Sequence, residues 1–218
     1  MQVGGVAGGI YKVCDWLMKL AIVNLLWIAF TVLGLGIFGM FPATVALLTV
    51  LTRWIKKEEC KVVSSFFLAY KKSFIKANML MVLTLVVGSV LAMNVIVVQS
   101  MSGILHVFLK YGLLCLFVMY TIVALYVIPM VTYQSHGVWM TIKMAFITGA
   151  LHPVRTGMLL GGFVLLYFVL RSIPGMIPFY GVSLMGMWTV VVLAPILSGE
   201  QNESNKEKII KSRTVARA

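Results

Sequence analysis

The sequence predicts an all-α protein, a polytopic transmembrane helical bundle with amphipathic helices at the membrane interface. Hydrophobic residues make up 61% of the 218 residues and charged residues only 11%, whereas an ordinary soluble domain has about 25% charged residues. Long uncharged runs also recur, each long enough for the roughly 20 residues of helix that cross a bilayer. We therefore expect five to six membrane segments in a single domain over residues 1–197, followed by a basic cytoplasmic tail over residues 198–218.

The basic residues lie mainly between the apolar runs. The formal net charge is +12, and Lys and Arg that flank apolar runs are typical of cytoplasmic loops, which face anionic lipid headgroups. No nucleic-acid-binding motif accompanies them. The expected partners therefore include membrane lipids and exclude nucleic acid.

The N-terminus and the cysteines carry no processing or metal signal. The first residues lack the basic start, short apolar core and cleavage site of a signal peptide, so we expect the first apolar run to be retained as an anchor. The three cysteines, Cys14, Cys60 and Cys115, are widely spaced and form no CxxC pair. We expect them to be buried or idle thiols.

The first membrane segments are predicted within the uncharged run of residues 20–52. One straight helix over this run would have about 33 residues and a length of roughly 50 Å, well beyond a hydrocarbon core of about 30 Å. Helix-breaking residues interrupt the run, namely Gly34, Gly36, Gly39 and Pro42. The prediction is two short helices at about 17–38 and 42–55. Two crossings here give six in total with both termini inside, and a single crossing gives five with the N-terminus outside.

Residues 53–76 form the strongest inside-facing segment. Seven basic residues outnumber two acidic residues there, which the positive-inside rule assigns to the cytoplasm. Apolar side chains recur along it at helical spacing, at Val63, Phe67, Tyr70 and Phe74. This pattern predicts an amphipathic helix along the membrane surface, and a solvated loop is the alternative.

Four further membrane segments are predicted at about 77–99, 108–133, 156–172 and 180–197. The connections after the first and third of these are poor in charge or rich in Pro and Gly, and we assign both to the outer side. The connection after the second contains His136, Lys143, His152 and Arg155 and returns to the cytoplasm. A helical stripe within it predicts a second surface helix, with Trp139, Ile142, Phe146 and Gly149 along one side. The tail is expected to be disordered or a loosely attached helix.

Six residues are candidates for a functional or packing role: Asn24, Trp27, Pro42, Thr44, Arg53 and Asn78. Asn24 and Trp27 lie on adjacent turns of the first helix, and an amide in hydrocarbon needs a bond across a helix interface or a polar cavity. Thr44, close to Pro42, is expected to cap a helix N-terminus, which would also attract an anion. For Asn78 we expect anchoring at the membrane interface.

No arrangement typical of catalysis or ion coupling is present in the sequence. Every Asp and Glu lies outside the apolar runs, whereas proton-coupled carriers generally use an ionisable residue within the membrane. The histidines are scattered at loop ends, at His106, His136 and His152, and there is no phosphate loop. We therefore predict that the protein is not an enzyme and has no catalytic, cofactor-binding or metal-binding residues.

Several short motifs together indicate a family. They are Gly8-Gly9-Ile10-Tyr11, Trp16, Asn24-Leu25-Leu26-Trp27, the glycines from Gly34 to Gly39, Phe41-Pro42-Ala43-Thr44 and Arg53, followed by Phe67, Tyr70, Lys71, Phe74 and Asn78. This pattern resembles the bacterial YesL family. The resemblance covers roughly the whole chain, more loosely in the later membrane segments.

The resemblance implies a small multi-pass protein of the bacterial cytoplasmic membrane. YesL proteins are uncharacterised in molecular activity and are often encoded near carbohydrate ABC-transporter and sugar-degradation genes, and the family supplies no catalytic or binding residues to carry over. The resulting expectation is an accessory or regulatory component associated with carbohydrate uptake, with ABC-transporter subunits or further copies of itself as partners. The alternative is a small autonomous transporter or channel, with a path lined by Asn24 and the Gly34–Pro42 break.

Overall fold

The computed structural model describes the backbone of residues 6–133 and 137–215, and the side chains of residues 8–133, 137–196 and 199. Within these ranges the chain is helical almost throughout and contains no strand, so the all-α prediction is confirmed. A short 3-10 turn, Pro174–Met176, precedes the last helix. The seven helices are α1 (Val6–Leu33), α2 (Ile37–Ile55), α3 (Val62–Gln99), α4 (Ile104–Tyr133), α5 (Val138–Leu151), α6 (Pro153–Ser172) and α7 (Ile177–Val215).

Six stretches of the described chain are long and apolar enough to cross a membrane. They lie in α1, α2, α3, α4 and α6, and in the segment Pro174–Ile196 that ends within α7. Because α1 and α2 each qualify, the number of candidate spans equals the larger of the two predicted segment counts. The remaining helix, α5, is apolar but short.

The first hairpin turns earlier than the sequence predicted. α1 ends at Leu33 and α2 begins at Ile37, whereas the predicted segments ended at about 38 and began at about 42. Leu35 and Gly36 have positive φ angles of 60° and 73°. The Gly36 N–H donates to the Thr31 carbonyl at 2.8 Å and the Leu35 N–H to the Val32 carbonyl at 3.1 Å. This is the Schellman pattern, which ends a helix by satisfying its last carbonyls.

Pro42 lies inside α2 and does not end a helix. Proline removes one backbone donor, but transmembrane helices tolerate it where hydroxyl side chains and neighbouring helices satisfy the freed backbone groups. The carbonyl that loses its helical donor is that of Phe38, four residues earlier, in the first turn of α2. The helix break, which was predicted from Gly34, Gly36, Gly39 and Pro42, is therefore confined to residues 34–36.

α3 joins the predicted surface helix and the third membrane segment into one helix. It runs from Val62 to Gln99 without interruption, a length of about 57 Å. The prediction of a separate surface helix over residues 63–74 is therefore wrong, and these residues form the first turns of a longer helix. Neither Gly nor Pro occurs between residues 62 and 77, and extending an existing helix by one residue is far easier than starting a new one.

The second predicted surface helix is observed as the separate helix α5. Gly149, from its predicted stripe, is buried, whereas Trp139 at the other end of the stripe is 80% exposed. His136, from the same segment, lies outside the described residues. At the end of the chain the backbone of α7 continues as a helix through the predicted tail to Val215.

The described residues form two compact units. Unit 1 comprises the described parts of Met1–Lys72 and Met158–Val192. Its most buried helix is α2, in which Ala46, Leu47, Val50 and Leu51 are fully enclosed. Gly186 of α7 faces Leu47 and Leu51 so closely that a Cβ atom there would overlap the Leu47 side chain. Unit 1 is therefore built around α2.

Unit 2 comprises the described parts of Ser73–Gly157 and Leu193–Ala218. Here α4 packs against α5, and Tyr126 of α4 is fully buried. Gly149 of α5 lies against Ile122 and Tyr126, leaving no room for a Cβ atom. The close approach of α4 and α5 at a glycine is typical of helix packing within membranes.

Candidate functional site

Asn24 connects α1 to the beginning of α7 through three hydrogen bonds. Its Nδ2 donates to the Pro178 carbonyl at 2.7 Å. Its Oδ1 accepts from the backbone N–H groups of Val182 at 3.1 Å and Ser183 at 3.0 Å. We call this arrangement the Asn24 clamp. Pro178 and Val182 are four residues apart, so in a regular α-helix the Val182 N–H donates to the Pro178 carbonyl. The side-chain amide of Asn24 bonds to both of these backbone groups as well.

The Asn24 clamp is enclosed by the protein. Asn24 is 1% exposed and Ser183 is fully buried. Both acceptor positions of Oδ1 are occupied, and the amide has no surface to offer to water or to a transported solute. A buried polar group is retained in an apolar helix when it is hydrogen-bonded in this way.

Trp27 and Thr44 join α1 to α2. The Trp27 Nε1 donates to the Thr44 hydroxyl oxygen at 3.0 Å, and the Thr44 hydroxyl donates to the Met40 carbonyl within α2. The prediction that Thr44 caps a helix N-terminus is wrong, because α2 begins at Ile37 with Gly36 as its N-cap. The Thr44 hydroxyl instead accepts a hydrogen bond from the Trp27 indole of the neighbouring helix.

The glycines of the first hairpin bring α1 and α2 into backbone contact. A Cβ atom on Gly39 would overlap the Thr31 and Phe30 carbonyls, and one on Gly34 would overlap Gly39 and the Tyr70 hydroxyl. The Tyr70 hydroxyl donates to the Phe30 carbonyl at 3.2 Å. The predicted break is therefore packed tightly against its neighbours.

Arg53 lies apart from the clamp, at the C-terminal end of α2. Its Nη1 donates to the Ser65 hydroxyl in the first turn of α3 at 3.1 Å, and its carbonyl accepts from the Glu58 N–H at 2.9 Å. A cation in the last turn also interacts favourably with the helix dipole. Arg53 therefore holds the connection between α2 and α3.

Asn78 belongs to unit 2, whereas the other five candidates belong to unit 1. Its side chain is partly buried, and its Oδ1 has no hydrogen-bond partner among the described residues. The structure thus brings together Trp27 and Thr44 directly, places Asn24 one turn from Trp27 on α1, and leaves Arg53 and Asn78 separate.

Two tyrosines of α4 make contacts that the sequence reasoning missed. The Tyr126 hydroxyl lies 3.0 Å from the Thr156 hydroxyl, and the Tyr120 hydroxyl donates to the Thr84 carbonyl at 3.2 Å. A tyrosine in an apolar run is itself a signal, because its hydroxyl needs a partner when buried. The partners lie on other helices and could not be identified from spacing.

Two features bear on the chemistry available to the described residues. Asp15 and Lys19 form an ion pair at 2.6 Å, one turn apart in α1. Among the described residues, no group of three His, Cys, Asp or Glu side chains is placed to hold a metal ion. The contacts of Asn24, Trp27, Tyr120 and Tyr126 connect helices, whereas this ion pair lies within one helix.

Six apolar stretches of spanning length, with side-chain hydrogen bonds between helices, define a multi-pass helical membrane protein. Residues 20–95 match the family described as "Protein of unknown function, DUF624". The chain belongs to this YesL-like family, as the resemblance in its N-terminal motifs predicted.

The relatives come from Bacillus subtilis (strain 168), and all three are described as uncharacterised proteins. YesV is 31% identical over 183 residues, covering 84% of this chain and 88% of YesV. YteU is 29% identical over 210 residues, covering 95% and 94%. YesL is 28% identical over 213 residues, covering 95% and 99%. No solved structure gives a significant match.

Proposed function

We propose that the chain is a non-catalytic accessory protein of the bacterial cytoplasmic membrane, which binds a partner of carbohydrate uptake through the first turns of α3. The observation that carries this proposal is a surface that we call the α3 basic face. It combines exposed apolar side chains with exposed lysines, namely Val63, Phe67, Leu68, Lys71 and Lys72.

The length of α3 supports a position of this face outside the hydrocarbon core. Residues 77–99 are sufficient to cross the bilayer, since about 20 residues are needed. The preceding residues 62–76 add about 22 Å of helix. Large apolar side chains that remain exposed outside the membrane mark an interaction surface, and the lysines beside them favour an acidic partner or anionic headgroups.

The contacts of unit 1 favour this role over an autonomous transporter or channel. The path expected for a transporter ran along Asn24 and the Gly34–Pro42 break. Asn24 is enclosed and bonded to α7, and the glycines are packed against backbone. A solute path along these residues would require all of these contacts to open.

The link to carbohydrate uptake rests on the family resemblance. YesL-family proteins are often encoded near carbohydrate ABC-transporter and sugar-degradation genes, which supports ABC-transporter subunits as the partner. The predicted absence of enzymatic activity is part of the same proposal.

The test is affinity purification of the full chain from its native membrane in a mild detergent, with mass spectrometry of the proteins that co-purify. We expect ABC-transporter subunits with the unchanged chain, and their loss with the double variant Phe67→Ser/Leu68→Ser. The matched control is Ile104→Ser, an exposed apolar residue at the start of α4, which should retain the partner.

The accessory proposal fails if the unchanged chain is recovered alone as a stable homo-oligomer. In that case the alternative is examined by solute flux into proteoliposomes. Equal recovery of the partner by the wild type and by Phe67→Ser/Leu68→Ser would instead remove the α3 basic face from the proposal.

A further inference from the structure

We propose that unit 2 contains a binding site for one anionic phospholipid, with an acyl chain in a groove between α3, α4 and α5. The groove has a volume of about 350 Å³, within the range of about 300–1,000 Å³ typical of small-molecule sites. We call it the α3–α5 groove, lined among others by Val87 and Leu91 of α3, Leu116 and Val123 of α4, and Trp139 and Ile142 of α5. This inference does not depend on the accessory role.

The lining of the α3–α5 groove selects a hydrocarbon ligand. Its surface is almost wholly carbon, and the tyrosine that borders it, Tyr120, directs its hydroxyl to the Thr84 carbonyl. Gly88 lies against the same hydroxyl, so that a Cβ atom there would overlap it. With its polar atom occupied by the α3 backbone, Tyr120 contributes only ring carbons to a ligand.

The position of the groove identifies which hydrocarbon is available. Its α3 and α4 residues belong to the uncharged runs 77–99 and 111–133, which lie in the hydrocarbon core of the bilayer. The medium around an open groove at this depth is lipid, since water is excluded there. An acyl chain is therefore the ligand that reaches it.

The α5 edge of the groove supplies groups for a headgroup. Trp139 and Lys143 are one turn apart and lie on the same side of α5; both are exposed, and Lys143 is the only charged residue of this helix. Tryptophan is enriched at the headgroup level, and basic pockets between transmembrane helices bind anionic headgroups. The charge of Lys143 therefore favours an anionic lipid over a zwitterionic one.

Native mass spectrometry of the purified full chain tests this inference. The detergent-solubilised protein is mixed with equal amounts of phosphatidylglycerol and phosphatidylethanolamine, and the lipid that remains bound is counted. We expect one phosphatidylglycerol per chain to be retained in preference to phosphatidylethanolamine. Lys143→Gln should weaken phosphatidylglycerol binding about five-fold and leave phosphatidylethanolamine unchanged, because one basic residue near the surface contributes about that factor.

A groove-filling variant tests the acyl-chain part separately. Val87→Trp should abolish retention of both lipids. Val123→Phe, a smaller change on α4, should reduce retention and serves as the second variant if Val87→Trp fails to fold. The matched controls are Val97→Trp, another exposed valine of α3 that does not line the groove, and Lys110→Gln, an exposed lysine of α4. Both controls should bind lipid as the wild type does.

Three results would overturn the proposal. Equal retention of the two lipids by the wild type would contradict selectivity for an anionic headgroup. Unchanged lipid binding in a folded Val87→Trp variant would show that the groove is not the binding site. A change of oligomeric state in Val87→Trp, with unchanged lipid binding, would show that a second copy of the chain occupies the groove.

Discussion

Asn24 shows how one amide is accommodated among apolar side chains. Its bonds to Pro178, Val182 and Ser183 all go to backbone groups at the start of α7. Hydrogen bonds between membrane helices stabilise by about 0.6 kcal/mol on average and by about 1–2 kcal/mol in model peptides. The three bonds of Asn24 are therefore expected to stabilise the contact between α1 and α7.

Replacing Asn24 with Leu should destabilise the protein by about 1–2 kcal/mol, because α1 loses its three hydrogen bonds to the start of α7. The measurement is thermal unfolding in detergent. Asn94→Leu is the matched control, since Asn94 is exposed and its side chain donates to the Val90 carbonyl of its own helix. A normally stable Asn24→Leu variant that loses its phenotype would show that Asn24 acts in function and not in packing.

Leu35 holds a backbone conformation that disfavours a side chain. Its φ of 60° is left-handed, at the position where glycine commonly ends a helix. Leu35→Gly should raise the free energy of unfolding by about 0.5–1 kcal/mol. A non-glycine residue in this conformation costs about 1–2 kcal/mol, and the larger chain entropy of glycine in the unfolded state offsets part of that gain.

The comparison for Leu35→Gly is Leu33→Gly, an exposed leucine in the last turn of α1. This variant should be destabilised by up to about 1 kcal/mol, because glycine lowers helix propensity. Opposite signs for the two variants in thermal unfolding would support the Schellman geometry, and the same sign would contradict it.

At the scale of elements, the α1–α2 hairpin depends on contact between backbones. Gly39 lies so close to Phe30 and Thr31 that no side chain fits, and Trp27 adds a hydrogen bond to Thr44. The aromatic side chains around Phe30 complete the contact, with the Tyr70 and Phe66 rings each 5.1 Å from the Phe30 ring. The hairpin is therefore expected to be rigid.

Gly39→Ala should destabilise this hairpin by about 1–3 kcal/mol, because the added methyl group forces α1 and α2 apart. Gly161→Ala is the control, since nothing lies within 4 Å of a Cβ atom built there on α6, and alanine favours a helix. The measurement is again thermal unfolding in detergent. Equal stability of the two variants would mean that the hairpin opens at little cost.

At the scale of the whole molecule, we expect the six candidate spans to cross the membrane six times, which would place both termini on the same side. From the basic residues of 53–76 we expect the α2–α3 connection to face the cytoplasm, and alternation along the chain then predicts that the α3–α4 connection faces outside. Native Cys60, in the α2–α3 connection, offers a direct probe of this orientation.

With Cys14 and Cys115 replaced by Ser, a membrane-impermeant maleimide should label Cys60 only after the cells are permeabilised. A chain that instead carries Ser102→Cys as its single cysteine, in the α3–α4 connection, should be labelled in intact cells. Labelling of Cys60 in intact cells would invert the orientation, and absence of labelling at Ser102→Cys in both conditions would argue against an exposed outer turn.

The candidate site was only partly predictable from sequence. The sequence singled out Asn24, because an amide within an apolar run needs a partner, and it predicted a helix break within the cluster from Gly34 to Pro42. It misplaced the role of Thr44 and the position of the break, because Pro42 was taken as the start of the second helix. The helix ends instead where two residues adopt positive φ, and Leu35 carries no sequence signal for such a conformation.

The sequence by itself determined that this is an all-α protein with five to six apolar membrane segments, because the length and composition of an apolar run are local properties of the chain. Only the tertiary structure decided which side chains meet. The amide of Asn24 finds its partner 154 residues away at Pro178, and the α3–α5 groove forms from three helices. Such contacts depend on how helices pack. Packing in a membrane is decided by close shape complementarity, which a pattern of apolar residues does not predict.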